Sequence, residues 1–203
     1  MLALSLAFAA PAAASTGGSS AEDYKAPPAT ATGAFAGKPT RITGNSPVAG
    51  QIAVDVRIGK AAWEPVGITT TDSANDFSID WTPKKAGRFE VRVTPLSSAG
   101  TAGAKTLPKI SVYRSQKATW YGPGFYGRKT ACGKRLRRST IGVAHRKLPC
   151  GTKVEFYNAG KKLVVPVIDR GPFVRGVTWD LTLAAMKRLG STSTVVLGAI
   201  PHR

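Results

Sequence analysis

Acidic residues are scarce in this chain. Its 203 residues hold 11 Asp and Glu against 29 Lys and Arg, a formal charge of +18. That imbalance predicts a polyanionic partner or surface and says nothing about fold. Cysteine is nearly absent, at two residues, which excludes a disulfide-dense miniprotein. No run approaches the ~20 apolar residues that a membrane-spanning helix requires. Internal repeats of solenoid period are lacking as well. What remains is 42% hydrophobic and 20% charged, a globular composition long enough for one ordinary domain or two small ones.

Leu2 to Ala10 is apolar and runs into Pro11-Ala12-Ala13-Ala14-Ser15, the pattern of a secretory leader cut near Ala14. A basic residue normally precedes such a run, but here the first is Lys25. No cysteine follows it at the place of a lipid anchor. Residues 1–14 are therefore expected to be a signal peptide and the product to be secreted. Export favours a disulfide between Cys132 and Cys150. The rival, a metal site, fails because two thiols and a distant histidine lack zinc-ligand spacing. No metal and no cofactor is expected.

Residues 15–38 are rich in Ala, Ser, Thr, Gly and Pro without periodicity, the composition of a disordered linker. From 39 to 113 short runs alternate apolar and polar positions, as in Ile52 to Ile58, Phe77 to Trp81 and Phe89 to Val93. Turn residues separate them at sandwich-like intervals, which predicts a small β-sandwich. Trp63 and Trp81 read as core packing in it rather than as sugar platforms. The runs Trp63-Glu64-Pro65-Val66 and Gly87 to Val93 weakly resemble bacterial immunoglobulin-like wall domains. Farther on, Lys153 to Tyr157 and Lys162 to Ile168 read as strands joined at Asn158-Ala159-Gly160. Thr182 to Leu189 reads as one short helix, with Leu181, Ala185 and Leu189 on a face and Gly190 at the C-terminal cap.

The stretch Ala118 to Ala131 sets Trp120, Tyr121, Phe125 and Tyr126 among Gly122, Pro123, Gly124 and Gly127. Glycine permits close backbone approach, and aromatic faces can stack on sugar rings. Together with Gly142-Val143-Ala144-His145, Leu148 to Val154, Val167 to Phe173 and Trp179-Asp180-Leu181, it resembles the rare lipoprotein A-like double-psi β-barrel. Expansins and some lytic transglycosylases share that barrel. The motifs occur in family order and span residues 117–200. The fold expected is therefore mainly β, an immunoglobulin-like sandwich followed by a six-stranded double-psi barrel with a short helix.

The resemblance makes Asp169 the prime catalytic candidate, with Asp180 assisting. Strand logic places Asp169 at the end of the apolar run 163–168, before the Arg170-Gly171-Pro172 turn. Pro166 inside that run suggests an edge or a bulge. Asp180 has a rival role as cap of the following helix. Glu155, between Val154 and Phe156, is expected to face solvent. From residue 117 onward the chain has 17 Lys and Arg and only these three acids. Neighbouring cations favour ionised carboxyls, whereas Phe125, Tyr126, Phe173 and Trp179 can provide the desolvation that a general acid needs.

The resemblance also implies substrate contacts from Trp120, Tyr121, Phe125, Tyr126, His145, Arg170, Phe173 and Trp179. It departs from the family at one place. Transglycosylases of this kind carry a glutamate shortly after the Thr-Ala segment, and here Thr130-Ala131-Cys132-Gly133 leads to Lys134. Two activities stay open: a peptidoglycan lytic transglycosylase using Asp169, and a non-catalytic, expansin-like module that binds and loosens wall polymer. The partner expected is peptidoglycan or another anionic wall polymer, contacted by a monomer that is secreted or wall-associated. The basic run Lys134 to Arg138 reads as a phosphate grip or as a solvated loop. A nucleic-acid partner is not expected, since no nucleic-acid motif accompanies the charge.

Overall fold

The computed structural model describes residues 33–96 and 103–202. The expected signal peptide and residues 15–32 of the expected linker lie outside them. Alternation in the first half becomes strands: β1 (Ala34–Phe35), β2 (Thr40–Asn45), β3 (Gln51–Ile58), β4 (Glu64–Thr70), β5 (Asp76–Trp81) and β6 (Gly87–Pro95). A long strand, β7 (Lys105–Tyr121), follows. Strands β4, β3, β6 and β7 form an antiparallel sheet, and β2 pairs with β5 in a second one. Ile52, Val54 and Val56 of β3 and Phe89, Val91 and Val93 of β6 point inward at every second position. They meet Ile42 and Phe77 from the smaller sheet in one apolar core. Trp81 packs on that core edge-to-face with Phe89. Trp63 does not; it lies half-buried beneath the guanidinium groups of Arg57 and Arg92.

The second half contains β8 (Val143–Ala144), β9 (Lys153–Asn158), β10 (Lys161–Asp169), β11 (Trp179–Thr182), α1 (Leu183–Arg188) and β12 (Val195–Pro201). Pairing runs β7, β11, β8, β10, β9, β12 and back to β7, so six strands close a barrel. The β9–β10 turn is a two-residue hairpin with Ala159 and Gly160 both at positive φ, the geometry whose twist matches the strands it joins. Pro166 lies on a strand paired on both sides, beside a register shift between Val167 and Asp169. The expected bulge is there; the edge is not. Val154, Phe156, Val165, Val167, Trp179 and Leu181 fill the interior, and Ala185, Met186 and Leu189 seat α1 against it.

Two expectations need correction where the halves meet. The stretch read as linker contributes β1, because Ala34 and Phe35 are an apolar pair able to join β7 in parallel. Phe35 then stands against Tyr113 and Tyr157, which stack on each other at 5.0 Å. Glu155 does not face solvent either. Its neighbours Val154 and Phe156 point into the barrel, but its own outward face is covered by the first half, leaving it 6% exposed. There it accepts a hydrogen bond from Tyr113 Oη at 2.6 Å and pairs with Arg88. Burial alone would raise its pKa, but the Tyr113 and Arg88 hydrogen bonds outweigh that and hold it below the usual carboxylate range. The strand that supplies Tyr113 is common to both halves. Between Lys109 and Tyr121 it has neither glycine nor proline to break it, so Ile110 and Val112 serve the first core and Ala118 the second.

Candidate active site

Strand β8 is only two residues long, and it separates the two acids of interest. Ala144 is in register with Asp169 of β10 on one side and with Asp180 of β11 on the other. Residues in register across neighbouring strands share a face of the sheet, so both carboxyls rise on the same side of Ala144. Their backbones are two strand spacings apart, roughly 10 Å.

Asp169 Oδ1 accepts hydrogen bonds from the backbone N–H of Ala131 and of Arg170, each at 2.8 Å. The Asp169 carbonyl accepts from His145 N–H at 3.2 Å. Its other carboxylate oxygen is uncommitted among the described residues. The Ala131 amide is held in place by the neighbouring Cys132–Cys150 disulfide and by the Cys132 N–H on the Ile168 carbonyl. That loop and strand β10 are thus tied together beside the acid.

Asp180 is not a helix cap. Thr182 fills that role, its hydroxyl accepting from Ala185 N–H. Asp180 instead accepts from the Thr119 hydroxyl at 2.8 Å. Burial, and secondarily the charge of Asp169, raises its pKa against the opposing Thr119 hydrogen bond. Burial therefore outweighs the Thr119 hydrogen bond for this acid, in the direction that favours a proton donor.

Tyr121 stands one period of the strand beyond Thr119, on the same face of β7. Its hydroxyl is buried and has no hydrogen-bond partner among the described residues. Burial and then the charges of Asp169 and Asp180 push its pKa up, so it is a neutral donor beside both acids. Phe125 meets Tyr121 edge-to-face at 6.2 Å and is 51% exposed. Phe173, just past Asp169, is 81% exposed. Both rings are open to solvent, with the Arg128 guanidinium 5.9 Å from the centre of Phe125.

Other expected contacts are placed differently. Trp120 turns to the opposite face of β7, packs on the barrel core and donates its indole N–H to the Thr192 carbonyl at 2.7 Å. Trp179 is 1% exposed, edge-to-face with Phe156 and bonded to Gln116, and so is a core residue. Tyr126 lies under Arg138, and its hydroxyl sits so near Gly122 that an added Cβ there would come within 2.5 Å. Arg170 donates to the carbonyls of Leu148, at 2.9 Å, and His145, at 3.3 Å, so its guanidinium is spent on organising the β8–β9 loop. His145 packs against Trp179 with the rings tilted by 37°, and its Nδ1 accepts from the backbone N–H groups of Lys147 and Leu148. Burial, then Arg146 and Arg170, lowers its pKa.

Two groups at the site were not anticipated from the sequence: the Thr119 hydroxyl and the Ala131 amide. The first was within reach of a period-two reading, since Thr119 and Tyr121 must share a face of one strand. The second depends on a loop conformation with no residue-type signature.

A closed six-stranded barrel with one short helix defines this half as a double-psi β-barrel domain. Residues 113–201 match the family described as lytic transglycolase, and the relatives they resemble are rare lipoprotein A proteins. The "Probable endolytic peptidoglycan transglycosylase RlpA" of Aquifex aeolicus (strain VF5) is 47% identical over 97 residues, which cover 47% of this chain and 42% of that protein. The "Endolytic peptidoglycan transglycosylase RlpA" of Campylobacter jejuni is 32% identical over 132 residues, 64% of this chain and 46% of that one. The chain thus spans less than half the length of these relatives. A solved structure, Streptomyces papain inhibitor, is similar at 26% identity over 44% of this chain and 93% of its own, with a TM-score of 0.36.

Proposed function

We propose that the protein is an exported lytic transglycosylase that cleaves peptidoglycan glycan strands with Asp169 and Asp180. The observation that carries this reading is the pair itself: two carboxyls flanking Ala144 on one face, one of them with its pKa raised by burial. A proton passes from the pair to the glycosidic oxygen as the bond from the muramyl C1 to that oxygen breaks. The muramyl C6 hydroxyl attacks C1, and its proton returns to the pair. No water is consumed, and the new end is a 1,6-anhydro ring. Asp169, with an uncommitted oxygen at the rim, is the group that meets the substrate; Asp180 is the buried reserve behind it. Tyr121 supplies a donor to the sugar, and Phe125 and Phe173 supply stacking faces. The Cys132–Cys150 disulfide fits work outside the cytoplasm, where the relatives' named substrate lies.

A second reading, a binding module without catalysis, is favoured by Lys134 in place of the expected glutamate. The two are separated by incubating the purified chain with peptidoglycan and mass-analysing what is released. Anhydro-muramyl fragments from the native chain, absent with Asp169→Asn and with Asp180→Asn, support the enzyme. Retention on peptidoglycan without fragments, unchanged by either substitution, refutes it.

A further inference from the structure

A cleft of about 1110 Å³ opens between the two halves. One wall is the β5–β6 turn and the outer part of β7; the other is the β8–β9 loop and the end of β12. Lys85, Arg88, Lys109, Arg114, His145 and His202 line it, and no carboxylate does. Neither Asp169 nor Asp180 lines it, although His145 and Trp179 back it onto the candidate active site.

Its cations are not all spoken for. Arg88 pairs with Glu155 and Lys109 with Glu90. Lys85 and Arg114 are exposed and have no carboxylate partner among the described residues. Cations gathered along concave walls focus a positive potential where an anion entering is least screened.

From this we infer that the interdomain cleft is a binding site for a phosphodiester-bearing wall polymer, gripped by Lys85 and Arg114 with Arg88 and Lys109 beside them. A neutral glycan would ask for open aromatic faces, and the exposed rings Phe125 and Phe173 are elsewhere. Single-stranded nucleic acid is held by aromatic rings on which bases stack. Here Trp179 is buried and His145 already packs against it. What the cleft offers is point charge along a groove, suited to phosphates on a flexible chain. The site goes beyond the transglycosylase reading and does not depend on it.

The test is titration of the oxidised full chain with soluble poly(glycerol phosphate), which has no glycosidic bond and so leaves the catalytic proposal untouched. Binding should weaken with added salt. Lys85→Ala/Arg114→Ala should lower affinity at least about tenfold, and Lys85→Glu/Arg114→Glu should abolish binding. Both positions are exposed, and circular dichroism checks that the variants fold. Lys187→Ala/Arg188→Ala removes the same charge from the outer end of α1 and should change affinity less than about twofold. Equal losses from the cleft and helix variants would reduce the effect to net charge and overturn the site. So would unchanged binding by the cleft variants, or single-stranded DNA of equal charge binding as tightly.

Discussion

The Cys132–Cys150 bridge offers the most direct quantitative test of how this barrel is held together. It closes a loop of 18 residues in sequence separation. Restricting that loop in the unfolded chain stabilises the fold by about 3 kcal/mol in the chain-entropy model. Cys150 is exposed and Cys132 half-buried, so replacing both with alanine removes little packing and isolates the loop term. For a chain of this size that loss corresponds to a melting point lower by about 6–12 °C. The assay is thermal unfolding by circular dichroism of the oxidised chain and of Cys132→Ala/Cys150→Ala at neutral pH. Activity on peptidoglycan should fall as well, since the same loop delivers the Ala131 N–H to Asp169. A melting point within about 2 °C of the native one would refute the entropic argument.

Three further outcomes follow from the same structure. Asp180 has a raised pKa, so its contribution to stability is present below its unfolded value and lost as pH rises through the folded one; Asp180→Asn should melt higher than the native chain at pH 7 while releasing no anhydro-muramyl product. Glu155 is the opposite case, a depressed carboxyl whose contribution is present above its unfolded value and lost as pH falls through the folded one. Glu155→Gln should cost about 1–3 kcal/mol at pH 7, with the difference from the native chain shrinking in denaturant titrations run at progressively lower pH. A Cβ on Gly142 would lie 2.4 Å from the buried Ile168 side chain, so Gly142→Ala should destabilise by about 1–3 kcal/mol in urea unfolding.

Much of the barrel could be read from residues because its signals are local. The two-residue turn after Asn158, the alternation in β9 and the apolar run ending at Asp169 each fix a strand without knowledge of the rest. Asp169 was legible for the same reason: a strand that stops abruptly leaves its last side chain at a rim. The pairing of Asp169 with Asp180 across Ala144 was not, because it depends on which strands lie beside β8, and that is set by closure of the whole barrel. Glu155 went astray for a related reason. Alternation correctly pointed it away from the barrel interior, yet a sequence does not say what packs on a barrel's outside. The resemblance implied substrate contacts from Trp179 and Trp120, while burial makes one a core residue and the opposite strand face claims the other.

Strand β7 has a mechanical consequence. A tension applied to the first half runs along the strand axis into the barrel, loading its ladders with β6, β11 and β12 in shear, so that many hydrogen bonds must fail together rather than one after another. The carboxyl pair thus keeps a fixed heading relative to the first half under load. If that half is tethered to a surface, the rim can be aimed at it without any hinge.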